Sequence, residues 1–175
     1  LRTRSEIDPS RLGLWGDSSA PLNPADLVPP EHNSKIVDDP EGPGDPHGPA
    51  IAEPLGQLLA MLAALFEDDV KAVLARRGLP GFASLFSSYF FYIPSDCVPP
   101  GALSAGEICD VAAVLAPRPL RLEGLVNACN QSVGQGELNA WFAPARQAYA
   151  DTPGRLILSA EIDSAADWLA GVLKR

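Results

Sequence analysis

The sequence predicts an α/β fold: a mostly parallel sheet with helices on both faces. Three observations carry this. Four short, largely apolar runs, at 12–15, 70–75, 120–126 and 155–159, read as strands. Between and after them lie segments at 53–66, 108–115, 138–150 and 164–173 whose apolar residues recur at spacings of three and four, the helical period. Strand and helix alternate along the chain, which is the pattern of parallel pairing through helical crossovers. At 175 residues the chain suits one domain, 1–175, and contains no internal repeat.

Residues 1–9 are polar and charged, and Arg2, Arg4 and Glu6 suit the exposed end of a preceding helix. Asp8-Pro9-Ser10 leads into the first strand. The chain then changes character over 21–54, where nine prolines alternate with Gly42, Gly44 and Gly48. Such a stretch builds neither a regular helix nor a central strand, so it is an excursion, packed over one face or free as a flap. Leu55, Leu58, Leu59, Leu62, Leu65 and Phe66 then mark a helix. Residues 70–75 read as a strand, with a continuation of that helix as the rival. The aromatic stretch 82–93 reads as core or as a helix closing on a pocket, and 94–101 as an irregular turn. The helix over 108–115 stops at Ala116-Pro117, since the residue before proline avoids helical angles. Pro144 should kink or shorten the helix over 138–150, and Thr152-Pro153-Gly154 ends it. The last helix, 164–173, places Trp168, Leu169 and Leu173 on one face.

The net charge of -9 and pI near 4.6 argue against nucleic acid, which requires clustered Lys and Arg. No basic amphipathic face addresses an anionic membrane, and the longest apolar run is interrupted by Gly56 and Gln57, too short to span one. Cys97, Cys109 and Cys129 lack metal-ligand spacing and read as small buried apolar residues. No cofactor or metal is predicted.

The chemistry concentrates in Leu12-Gly13-Leu14-Trp15-Gly16-Asp17-Ser18-Ser19-Ala20. An apolar run ends in a serine flanked by small residues, as in a nucleophile elbow, where a strand turns sharply into a helix and presents a serine Oγ. Gly16-x-Ser18-x-Ala20 departs from G-x-S-x-G at its last position, though Ala is still small. The rival is an ordinary strand-to-loop turn.

Together with Asp110-Val111-Ala112-Ala113-Val114-Leu115-Ala116-Pro117-Arg118-Pro119-Leu120 and the closing Ala165-Ala166-Asp167-Trp168-Leu169, this motif resembles the C-terminal half of α/β-hydrolases. The likeness is to esterases related to acetyl xylan esterases and dienelactone hydrolases, and it covers most of the chain outside the Pro-rich excursion. It implies Ser18 as nucleophile, the amide of Ser19 as an oxyanion donor, and a carboxylic ester or acylated carbohydrate as substrate. It also implies an acid after the strand 120–126 and a histidine after 155–159. Asn127, Ala128, Cys129 and Asn130 occupy the first place, with Glu123 inside the strand as a displaced substitute. Ala160, Glu161, Ile162 and Asp163 occupy the second. The two histidines, His32 and His47, both fall in the excursion, and His47 is the candidate base that could fold back over Ser18. A serine without a base is a poor nucleophile, so catalysis is expected to be impaired or absent.

The full hydrolase fold places about four strands before the elbow strand. Here eleven residues precede Leu12, and the chain opens on Leu1 rather than Met. This fits a truncated piece whose partner half lies elsewhere, or a shortened sheet inclined to self-association. Two other readings stand beside this one. Gly16-Asp17-Ser18 near the N-terminus also suits a GDSL-type hydrolase, although Asp163 and Asp167 have no histidine three residues on. A hydrolase-like domain that binds without catalysis is the reading from a different class. Asp17 and Asp96 as a carboxylate pair would be the last resort, since isolated turn aspartates usually cap.

Overall fold

The computed structural model describes residues 4–27, 49–88 and 91–174. Its four strands, β1 (Leu12–Gly16), β2 (Val70–Arg76), β3 (Leu120–Glu123) and β4 (Leu156–Ser159), form one sheet in the order β1-β2-β3-β4. All three pairings are parallel. Between them lie α1 (Leu55–Phe66), the short α2 (Ala102–Ala105), α3 (Ile108–Val114), α4 (Gln135–Trp141) and α5 (Ala143–Ala148), and α6 (Ala165–Leu173) follows β4.

The register assigns the faces. Val73, Ala75, Leu120 and Leu122 point to one side and are fully buried there against Met61 of α1, Ile108 and Ala112 of α3, Leu138 of α4 and Ala145 of α5. Each of these helices has its apolar positions at helical spacing, so closing the crossovers on one side builds one core. The opposite side is covered by α6, which packs on β1 and β2. A Cβ on Gly13 would lie 3.1 Å from Leu169 and 3.2 Å from Leu173, so the glycine admits the helix closely. Helices therefore cover both faces, as the alternation predicts. That second cover is partial, and the same side carries Arg76, Arg121 and Glu123.

Several elements differ from the sequence reading, each for a local reason. The aromatic stretch is not a helix over 82–93. Phe82–Ser87 forms a 3-10 turn because the Glu107 carboxylate accepts from the amides of Phe82 (2.7 Å) and Ala83 (2.9 Å). Phe82 and Ile93 join the core, whereas Phe86 and Phe91 are exposed. β3 ends at Glu123 because Gly124 takes φ +57, a left-handed angle suited to glycine. The helix expected over 138–150 starts earlier, at Gln135, and divides at Phe142. Pro144 lies in the first turn of the second piece, where its missing N–H costs nothing. Helix α3 keeps its expected place, held by a reciprocal cap between Glu107 and Asp110.

After β1 the chain makes a strand-to-loop turn and enters the expected excursion. Residues 17–24 after β1 are irregular, and α1 begins only at Leu55. The prolines of the excursion cannot continue a helix from Ser18. The helix nevertheless returns to the strand it would have followed: Gly56, in the first turn of α1, packs on Asp17.

Candidate functional site

The site lies at the C-terminal edge of the sheet, where open α/β sheets gather their ligands. Gly16 ends β1 buried against α1, and a Cβ there would collide with the Gly56 carbonyl. A Cβ on Gly56 would in turn lie 2.5 Å from the Asp17 carbonyl oxygen and 2.7 Å from its nitrogen. These two glycines bring the N-terminus of a twelve-residue helix against the backbone that leads into Ser18. The helix has no side-chain cap at that end, and its dipole favours negative charge there.

Ser18 itself is buried, and its amide donates to the Asp17 carboxylate at 2.8 Å. Asp17 thus serves as a turn former, and Asp96 sits in a separate turn, Ser95–Cys97, so the two do not act as a pair at this cleft. Ser19 is exposed. Asp17, Ser18, Ser19, Arg76, Arg77 and Ile162 line a shallow cleft of about 400 Å³. A second hollow that also borders Ser18, about 540 Å³, reaches Pro21, Ile51 and Glu53.

Arg77 holds this loop in place. It follows β2 with a left-handed φ of 50, and its guanidinium donates to the carbonyls of Ser18 (3.3 Å) and Ala20 (3.2 Å). Its Nε is buried with no partner among the described residues. In the sequence, Arg76-Arg77-Gly78 looks like a plain strand end; the left-handed bend that swings Arg77 over the elbow loop leaves no local mark.

Glu123, the substitute acid, is committed elsewhere. It is fully buried and accepts from Arg76 Nε and from Arg121 Nε, the latter at 2.6 Å. Arg121 also approaches Asp163 at 3.5 Å, Arg76 donates to the Asp163 carbonyl, and the Arg76 guanidinium lies 5.0 Å from the centre of the Trp15 ring. Asp163 is held below its ordinary range by the Ser164 amide and by Arg121.

The loop after β3 contains amides where an acid was expected. Asn127 Oδ1 accepts from the amides of Cys129 (2.9 Å) and Gln131 (3.1 Å) and so folds the turn. Asn130, buried with a left-handed φ of 55, donates to the carbonyls of Pro21 (2.8 Å) and Ala50 (3.3 Å). Asn23 donates to the carbonyls of Ala50 and Cys129 and accepts the Ala50 amide at 2.7 Å. Both stems of the excursion are thereby tied to one loop. Only an amide can donate to these carbonyls and accept as well; a carboxylate could not.

The loop after β4 places Ile162 in the Ser18 cleft, packed beside Gly124. His32 and His47 lie outside the described residues, and the residues described contain no histidine. Among them, no group of three or more His, Cys, Asp or Glu could hold a metal ion, and no helix is long and apolar enough to cross a membrane.

No protein-family model, curated protein or solved structure matches this chain.

Proposed function

We propose that the chain is a serine-esterase-like domain of α/β-hydrolase architecture, with Ser18 in the nucleophile position and impaired or absent turnover. Its substrate class is a carboxylic ester, with acylated carbohydrates as the first to try. The observation that carries this reading is the docking of the α1 N-terminus on Asp17, one residue before Ser18. A serine between a strand end and a helix N-terminus has a fixed positive potential at hand for an oxyanion, and the Ser19 amide is the adjacent donor. The 34-residue excursion 21–54 interrupts the elbow in sequence, while the Gly16–Gly56 contact rejoins its two halves in space.

Impairment follows from the neighbours of Ser18. Among the described residues no histidine lines its cleft: Arg76, Arg77 and Ile162 take no proton from a hydroxyl at neutral pH, and the Asp17 carboxylate is engaged by the Ser18 amide. Without a general base, a serine hydrolase loses several powers of ten in rate. Among the described residues β1 pairs with β2 alone, and its other edge suits an additional strand from a partner half or a second copy.

A second reading, a binding domain without catalysis, is favoured by one observation. The acid and amides near the expected triad positions are fully engaged in structural bonds, Glu123 with two arginines and Asn130 with two carbonyls. Hydrolysis of a short-chain activated ester separates the readings. A slow turnover that Ser18→Ala abolishes supports the impaired esterase. A rate equal to buffer in both proteins supports binding alone. Turnover that persists in Ser18→Ala contradicts the placement of the nucleophile.

A further inference from the structure

The edge of the sheet opposite Ser18 holds a differently built cavity. Arg11 directly precedes β1, Lys71 is the second residue of β2, Arg155 directly precedes β4, and Lys174 caps the end of α6. All four line one cavity of about 620 Å³, together with Trp168 and Leu173 of α6. Among the described residues no carboxylate lines it. In a chain with 13 Lys and Arg against 22 Asp and Glu, four cations around one hollow run against the overall charge. A concave surface of one sign concentrates the field and draws the opposite charge.

The cations are also positioned in advance. Arg155 Nη1 donates to the Pro117 carbonyl at 3.1 Å, and Lys71 Nζ to the Asp68 carbonyl at 3.0 Å. These anchors are neutral, so they fix the side chains without cancelling their charge. Each guanidinium has five donors and each ammonium three, which leaves donors for a ligand. Arg11 is paired with Asp8 at 2.7 Å, and the Asp8 carboxyl is pushed down to about 2 by Ser10 and Arg11. Arg11 therefore contributes orientation more than free charge. Fixing such long side chains beforehand reduces the ordering cost of binding. Trp168 is half-buried beside Leu173 and supplies a flat apolar wall, so the lining pairs anion donors with a ring-stacking surface.

We propose that this cavity binds an organic polyphosphate, its phosphates held by Lys71, Arg155 and Lys174 and its ring lying on Trp168. The volume is in the range of small-molecule sites. The site is independent of the esterase reading, because it lies at the other edge of the sheet and shares no lining residue with the Ser18 cleft.

Calorimetric titration of the full chain with three probes tests it: ATP for charge and ring, tripolyphosphate for charge alone, adenosine for ring alone. ATP is expected to bind most tightly, tripolyphosphate more weakly, adenosine not measurably. Lys71→Gln and Arg155→Gln should each weaken ATP at least tenfold, and Trp168→Leu should weaken ATP while leaving tripolyphosphate unchanged. Arg155→Gln loses a contact to Pro117, so the exposed Lys174→Gln provides a second variant in which folding is not at issue. Raising salt from 50 to 200 mM should weaken binding of both anions. Absence of ATP binding would overturn the proposal. So would equal affinity for ATP and tripolyphosphate, or binding that survives Lys71→Gln and Lys174→Gln but is lost in Arg77→Gln at the opposite edge.

Discussion

Gly16 and Gly56 meet backbone to backbone, the last residue of β1 against the first turn of α1. This contact joins a strand and a helix that 38 residues separate, and it sets where Ser18 sits. Because the obstacle is a carbonyl rather than a pliable side chain, Gly16→Ala cannot be relieved by a rotamer change. We expect a loss of about 2–3 kcal/mol, read as a lower urea midpoint at unchanged slope. A loss below about 0.5 kcal/mol would place the helix elsewhere.

Glu123 is fully buried and balances two arginines that are largely but not wholly buried. Glu123→Ala should cost about 3 kcal/mol, because Arg76 and Arg121 lose their buried counter-charge and Arg121 keeps only the exposed Asp163 carboxylate. Replacing Arg121 and Glu123 together with leucine should recover part of that loss. Equal destabilisation by the single and double variants would show that packing, not charge, dominates.

Asn130 combines a left-handed backbone with two donated hydrogen bonds to the stems of the excursion. Asn130→Ala should therefore lose about 1–2 kcal/mol for the backbone angle and about 1 kcal/mol for each hydrogen bond. Asn130→Gly should recover only the first part. Limited proteolysis offers an independent reading: both variants should be cut faster near Pro21 and Ala50, and unchanged cleavage would dissociate Asn130 from the stems.

Periodicity made the architecture legible. Runs such as Val70–Arg76 and Leu156–Ser159 are short and apolar, and the helical spacing of Leu55–Phe66 is plain, because burial of a sheet between helices imposes both patterns. What the sequence concealed depends on single backbone angles and on contacts between distant residues. Gly124 shortens β3, Glu107 diverts the aromatic stretch into a 3-10 turn, and Arg77 reaches back 59 residues to Ser18. Of the candidate site, Ser18 alone was legible. The roles of Asn23 and Asn130 carry no local pattern, since their partners are backbone carbonyls brought near by the fold.

Alkaline pH should destabilise the fold through Tyr149. Its phenol is buried, donates to the Arg118 carbonyl at 2.6 Å, and is pushed well above the ordinary range, chiefly by burial. An unfolded tyrosine ionises near pH ~10, while the folded one keeps its proton. Above that pH the unfolded state binds fewer protons, so stability is intact below about 10 and declines as pH rises. The Cys97 and Cys109 thiols, raised chiefly by burial and further by Asp96 and Asp110, act with the same sign from about pH 8.5 upward. Melting temperature should fall across this range, and in Tyr149→Phe the decline above about pH 10 should flatten. An identical decline in both proteins would exclude Tyr149 as its source.

The proposed nucleophile Ser18 has no histidine in its cleft among the described residues, and Ile162→His supplies one. Ile162 lines the Ser18 cleft from the loop after β4. A histidine there should increase hydrolysis of an activated ester by about 10²-fold or more, with a rate that rises through about pH 6.5 and vanishes when Ser18→Ala is added. A gain that survives Ser18→Ala, or no gain at all from a variant that melts like the parent, would exclude Ser18 as the nucleophile.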